Sequence, residues 1–234
     1  MAKKLPGVPV LTGKDRGVLG EYALRNFSAA VVLLDDGFQH LKLRRNVDII
    51  LLDGQKPLGN GFLLPRGPLR EPPDQLKRAN FILVTQLITK KGYGAIKRLI
   101  RTYNRSASIF FADYVPVTLE RLDNEERLPL EYLRGKEVLA LAGVARPESF
   151  SAILIQLGAR LVGTMFFPDH HRYQPHDLDK AERNSVIVTT EKDAIKLRAV
   201  ALPKREVLVL GIALTVENEA RFQESLKNHL PWPI

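Results

Sequence analysis

The chain predicts an α/β fold built on a parallel sheet, and three features carry that expectation. Near-continuous apolar runs of strand length recur along it, helix-patterned segments lie between them, and several runs end in carboxylates or glycine. Runs without polar alternation suit strands covered on both faces, the mark of a parallel sheet. Strands alternating with helices argue for layers of both.

Taken in order, Ala30-Val31-Val32-Leu33-Leu34 reads as a strand ending at Asp35 and Asp36, and Val47 to Leu52 as one ending at Asp53. Phe81 to Thr85 and Ser108 to Phe111 follow. A helix is expected over Gly94 to Tyr103, with Ala95, Ile96, Leu99 and Ile100 on one side and Lys97, Arg98 and Arg101 opposite. After Tyr114 the pattern changes. Val115 to Leu122 partly alternates, Asp123 to Glu126 supplies turn chemistry, and Arg127 to Leu130 runs back as a hairpin or linker. A second unit opens with Lys136 to Gly143, a strand entering a turn. Pro147 then starts a helix to Leu157 that Gly158 is placed to end. Later strands are expected at 161–165, 185–189 and 207–210. The organisation is therefore a first α/β domain over 1–114, a hairpin linker over 115–134 and a second, smaller α/β domain over 135–234.

With 234 residues, 45% of them hydrophobic, the chain can bury one large core or two modest ones. It has no cysteine, which excludes disulfides and thiolate metal sites. The formal charge of +9 favours anionic partners: nucleic acid, phospholipid headgroups or phosphorylated substrates. Its Lys and Arg have little aromatic interleaving beyond Phe110, Phe111 and Tyr114, so stacking on bases is poorly supported and no nucleic-acid partner is expected. No stretch approaches the roughly 18 apolar residues needed to span a bilayer. Met1 to Pro6 has no apolar run behind it and does not read as a signal peptide. The expectation is a chain that is soluble or held at a membrane surface.

Three segments could carry chemistry. In Leu33-Leu34-Asp35-Asp36-Gly37-Phe38-Gln39-His40, carboxylates at the end of a strand lie where α/β sheets hold ligands. Adjacent aspartates repel and become comfortable beside a cation, so Asp35 and Asp36 are candidate Mg²⁺ ligands. A bare Asp-Asp pair also suits a solvated turn. In Gly59 to Pro72, three glycines and three prolines hold Arg66 and Arg70, whose planar guanidinium groups grip phosphate in bidentate fashion. Salt bridges within the protein would use the same residues. In Phe167-Pro168-Asp169-His170-His171-Arg172-Tyr173, paired histidines beside a carboxylate suit proton handling or substrate orientation. A zinc site would need three or four converging ligands.

Asp35 to His40 and Gly59 to Pro72 together resemble the signature segments of the tetraacyldisaccharide 4'-kinases. Leu141 to Pro147, Phe167 to Tyr173 and Val188 to Leu197 are similar to further segments of that family, in the same order. The resemblance implies a P-loop kinase core with a parallel sheet beside a smaller α/β domain. It implies ATP and Mg²⁺ as cofactors and transfer of the γ-phosphate to the 4'-hydroxyl of an acylated glucosamine disaccharide 1-phosphate. Asp35, Asp36, His170 and His171 would be catalytic, the two aspartates also holding the metal. Gln39, His40, Arg66 and Arg70 would bind substrate or phosphate. The setting implied is the cytoplasmic face of the inner membrane, with the protein peripheral on its anionic surface.

One expected part is missing from the sequence. Such a kinase carries a Gly-rich loop ending in Gly-Lys-Ser/Thr, whose amides cradle phosphates. The only superficial candidate is Thr12-Gly13-Lys14-Asp15, with Asp where the hydroxyl belongs. On this reading the core is incomplete and Met1 marks a truncated or mis-started frame. A chain inactive alone is then expected, with a noncatalytic anionic-glycolipid-binding remnant, or one half of a split kinase, as the alternative.

Overall fold

The computed structural model describes residues 5–86, 90–144, 146–169, 171–178, 185–200 and 205–230. Contacts divide the chain into two compact units, Met1–Phe111 with Asn218–Ile234, and Ala112–Glu217.

In the first unit, helix α1 (Arg16–Phe27) is capped by Asp15, whose carboxylate accepts hydrogen bonds from the Gly17 and Val18 amides. Strand β1 (Ile49–Asp53) runs parallel to β2 (Phe81–Thr85), which is buried throughout. Helix α2 (Tyr93–Tyr103) turns Ile96 and Ile100 inward onto Leu52, Ile82 and Val84. Each such buried aliphatic contributes about 1.5–3 kcal/mol. The alternate residue of β2, Phe81, meets Phe110 and, edge-on, Phe222 from α5 (Glu219–Lys227). Two-sided coverage explains why this strand is uninterruptedly apolar.

The run from Ala30 to Leu34 is not a strand. It pairs with no strand among the described residues, and Leu33 is 90% exposed. Strand-like composition makes a strand only beside a partner edge, and β1 has a neighbour on one side alone among the described residues. Ile49 and Leu51 of β1 are correspondingly exposed.

Strand β3 (Ser108–Arg121) begins in the first unit and continues into the second. There it turns through Asp123 to Glu126 into the short β4 (Arg127–Leu128), pairing Leu119 with Leu128. Residues 115–128 thus form strand, turn and strand of the second unit's sheet, and Leu130 and Leu133 pack on its core, instead of forming a separate linker. Residues 218–230, expected in the second domain, pack in the first unit.

The second unit orders its remaining strands β8 (Val207–Val216), β7 (Val186–Thr190), β5 (Glu137–Ala142), β6 (Arg160–Phe166), each parallel to its neighbours. β3 runs antiparallel along β8. Helix α3 (Pro147–Gln156) covers one face through Phe150 and Leu154 on Val138, Ala140 and Val188. Helix α4 (Glu191–Leu197) covers the other through Ala194 and Leu197 on Leu139, Leu141 and Ile187. The chain leaves β5 for β6 on one side and returns to β7 on the other. The crevice at the carboxyl ends of β5 and β7 is where such sheets hold ligands.

A carboxylate–guanidinium cluster as candidate site

In the first unit the turn after Leu34 meets the glycine- and proline-rich loop. Asp36, at φ 51°, sits in the left-handed region that Asp tolerates better than most residues. Its carboxylate accepts from Arg70 Nη1 at 2.8 and 2.7 Å. Asp36 raises the Arg70 pKa above its ordinary value, through the hydrogen bond first and charge second. Both side chains are more than half exposed, so the pair orients groups more than it stabilises the fold. Asp35 is exposed and its carboxylate has no hydrogen bond or ion pair among the described residues.

Glu71 is the hub that sequence reasoning missed. Its carboxylate accepts from Gln39 Nε2 at 2.8 Å and from Arg78 Nη2 at 2.6 Å. Arg78 also lies 4.1 Å over the Phe38 ring. Asn104, buried at the end of α2, fixes the backbone beside Arg78 by donating to Leu76 O and Ala79 O at 2.8 and 2.9 Å. The turn and the loop are therefore clamped twice, Asp36 to Arg70 and Gln39 through Glu71 to Arg78. The available signal was the Glu directly after Arg70; its partners lie 32 and 7 residues away in sequence.

The loop is self-braced. Asn60 accepts from the Phe62 amide and donates to Arg66 O, both at 3.1 Å, and the Gly67 amide donates to Leu63 O at 2.9 Å. A Cβ at Gly67 would lie 2.1 Å from Asn60 Oδ1 and 2.3 Å from Phe62 O, so only glycine fits. Arg66 stacks 3.7 Å over the Phe62 ring and shares no contact with the Asp36–Arg70 pair. The His40 ring makes no hydrogen bond among the described residues; its carbonyl accepts from Arg45.

The Thr12 to Asp15 segment leads into α1 with the helix amides already satisfied by Asp15. A phosphate would have to displace that carboxylate, so this terminus does not act as a phosphate cradle.

In the second unit, His171 Nε2 lies 2.9 Å from Asp177 Oδ2, and the ring stacks on Phe167. An ionised carboxylate only accepts, so Nε2 carries the proton and Nδ1 is left as acceptor. The bond to His171, then the Gln174 amide, holds the Asp177 carboxyl below the ordinary aspartate range. Asp177 was not singled out from sequence. The adjacent Asp169 pairs instead with Lys192, and His170 lies outside the described residues.

The crevice between β5 and β7 is filled by Asp193, fully buried. It accepts from the Gly143 amide at 2.9 Å, Thr190 Oγ1 at 2.8 Å and Lys196 Nζ at 3.3 Å. Burial first, and Asp193 second, push the Tyr173 phenol upward.

Among the described residues no group of three or more His, Asp or Glu could hold a metal ion. Asp35, open among the described residues beside an Asp36 whose two oxygens accept from Arg70, has the chemistry of a Mg²⁺ ligand, an ion that takes one or two carboxylates and completes its shell with water and substrate phosphates. No described helix is long and apolar enough to cross a membrane.

Residues 1–231 match the family model for tetraacyldisaccharide-1-P 4'-kinase. The chain is 40% identical over 242 residues to the tetraacyldisaccharide 4'-kinase of Syntrophus aciditrophicus, covering 97% of this chain and 64% of that protein. It is 37% identical to the enzyme of Halothermothrix orenii, covering 93% and 62%. The structure also resembles a crystal structure of LpxK from Aquifex aeolicus in complex with ATP. That match has a TM-score of 0.60 and 27% identity, covering 90% of this chain and 61% of that one. The chain thus spans under two thirds of these relatives. By the family model, which matches nearly its whole length, the chain belongs to the tetraacyldisaccharide-1-P 4'-kinases.

Proposed function

We propose that the chain supplies part of the site that transfers the γ-phosphate of ATP to the 4'-hydroxyl of an acylated glucosamine disaccharide 1-phosphate. The observation that carries this reading is the contrast between the two aspartates. Asp36 is held by Arg70, whereas the exposed carboxylate of Asp35 beside it has no partner among the described residues. A carboxylate left open next to a neutralised one suits a hydrated Mg²⁺. When bound, that ion would neutralise charge on the β- and γ-phosphates.

The chain's own groups divide the remaining work. Asp35 would ligate the metal, with Asp36 as second ligand or as anchor for Arg70. Arg70 has donors to spare for a phosphate oxygen, and Gln39, set by Glu71, can donate to another. Arg66 and His40 stand as further phosphate-binding candidates. His171, its Nε2 proton committed to Asp177, can take the hydroxyl proton at Nδ1; His170 remains the neighbouring candidate. The acceptor oxygen then bonds to the γ-phosphorus as the bond to the β–γ bridging oxygen breaks, and ADP leaves. The protein would work peripherally at the cytoplasmic face of the inner membrane, where such an acceptor resides.

A second reading is binding without transfer. It is favoured by the self-capped terminus of α1, where Asp15 already occupies amides a phosphate would use. Calorimetry with the disaccharide 1-phosphate and with Mg²⁺–ATP, alongside a phosphoryl-transfer assay, separates the two. The first reading expects Mg²⁺-dependent nucleotide binding that Asp35→Asn abolishes. Because positioning supplies nearly all of phosphoryl-transfer catalysis, turnover by the chain alone is expected to be undetectable. Disaccharide binding with no nucleotide binding would establish the second reading.

A further inference from the structure

The second unit holds a cavity of about 470 Å³ that no step of the transfer uses. One wall is the segment after the histidines, which presents Arg172, Tyr173 and Pro175. The other is the end of α4 and the turn beyond it, which presents Lys196, Ala199 and Val200. Positions three and four apart share a helix face. The helical path continues past Leu197, where the Ala199 and Val200 amides donate to Lys196 O and Leu197 O.

Both walls are set before any ligand arrives. Tyr173 is only 5% exposed and packs with Ala194 and Leu197 in one apolar core, with Val200 against it. Asp177 ties down the rest of the segment. Its carboxylate accepts from the Gln174 amide at 2.8 Å, and its own amide donates to Gln174 O at 3.0 Å.

The two cations have donors to give. Arg172 is exposed, and its guanidinium makes no hydrogen bond or ion pair among the described residues. Lys196 Nζ carries three protons and has one described hydrogen-bond partner, Asp193 Oδ1 at 3.3 Å. It also lies 5.8 Å over the Tyr173 ring. Among the described residues no carboxylate lines the cavity. Asp193, fully buried, is already met by the Gly143 amide and the Thr190 hydroxyl, and Asp177 by His171 and the Gln174 amide.

We infer that this cavity is a second ligand site, which takes a phosphate monoester carried on a ring. The phosphate lies between Arg172 and Lys196, and the ring lies on Tyr173 and Val200. A planar guanidinium and a compact ammonium together suit the several oxygens of a phosphate. A bare anion would leave the apolar floor wet, and an apolar ligand would cover two cations without pairing them. The lining therefore asks for both parts in one molecule. The volume falls within the range of about 300–1,000 Å³ that small-molecule sites occupy. The site lies within the second unit and does not depend on the transfer reading.

The test is amide NMR of the full chain titrated with adenosine 5'-monophosphate and with glucosamine 1-phosphate, beside adenosine, glucosamine and inorganic phosphate. A ring phosphate is expected to shift the Tyr173, Gln174, Ala199 and Val200 amides; the tighter of the two assigns the ring as base or sugar. It should bind about tenfold more tightly than its unphosphorylated parent, because hydrogen bonds to a charged group are lost with the phosphate. Arg172→Gln should weaken binding about tenfold for the same reason. Lys196→Gln would also unsettle Asp193, so the second wall is tested by Ala199→Phe. That exposed position admits a ring that fills the cavity, which should abolish the shifts and leave the Gly143 amide unmoved. Arg160→Gln removes the same charge elsewhere in the unit and should change affinity by less than about twofold. Inorganic phosphate binding as tightly as the ring phosphates overturns the inference, as does equally tight binding of adenosine or glucosamine. Equal losses from Arg172→Gln and Arg160→Gln overturn it too. So do shifts confined to the first unit, or no shift at these amides at millimolar ligand. No turnover is read, so a failed transfer assay leaves this result untouched, and a failed titration leaves the kinase reading standing.

Discussion

Replacing Asp193 with alanine tests the second unit most directly. The carboxylate is fully buried and joins the end of β5 to the start of α4 through Gly143 N, Thr190 Oγ1 and Lys196 Nζ. Alanine leaves the Gly143 amide without an acceptor, which costs about 1–3 kcal/mol for a buried donor. It also strands Lys196, which is 26% exposed and can partly rehydrate. Breaking a buried charged pair costs about 3–5 kcal/mol; with that relief, about 3 kcal/mol is expected for the variant. The assay is hydrogen exchange read at the Gly143 amide and along β5 and β7, which isolates this unit from the other. Protection should fall by roughly 100-fold, the equivalent of about 3 kcal/mol. A change below threefold at these amides would refute the claim that Asp193 braces the crevice.

Gly67→Ala should collapse the loop that carries Arg70, because the new methyl meets Phe62 O. The expected cost is about 2–3 kcal/mol, read as lost protection of the Gly67 and Leu64 amides and weaker nucleotide-phosphate binding in calorimetry. Asp177 has a folded-state pKa below its unfolded value, so its contribution is present above about pH 3.9 and vanishes as pH falls through the lower folded value. Urea unfolding of Asp177→Asn should accordingly show a shallower loss of stability on acidification below pH ~4 than the parent. Tyr173 is shifted the opposite way: above pH ~10 the unfolded chain ionises this phenol while the folded one resists, so stability falls as pH rises. Tyr173→Phe should flatten that alkaline decline, monitored by phenolate absorbance during unfolding.

What the sequence disclosed follows from how local each cause is. Strands such as Phe81 to Thr85 and Val186 to Thr190 are covered on both faces, so their composition alone marks them. Ala30 to Leu34 has the same composition and no partner, and pairing is not written into composition. Helix α1 was not foreseen because it buries only Ala23 and shows little apolar periodicity. At the candidate site, the segments carrying Asp36 and Arg70 were both visible, and their 34-residue separation closed into contact. Glu71, Arg78 and Asp177 were not visible as partners. A hydrogen bond between distant residues has no period or spacing to betray it.

Among the described residues the first unit's β1 ends its ladder with a row of amides and carbonyls facing away from β2, and Val32 and Leu33 in the preceding segment are exposed. Main-chain groups in that state accept any extended peptide of suitable length, whatever its side chains. Solutions of this polypeptide will therefore thicken with concentration, as one molecule's frayed hem is stitched to the next. Dilute handling, or a short apolar peptide added as a seam, should keep the molecules apart.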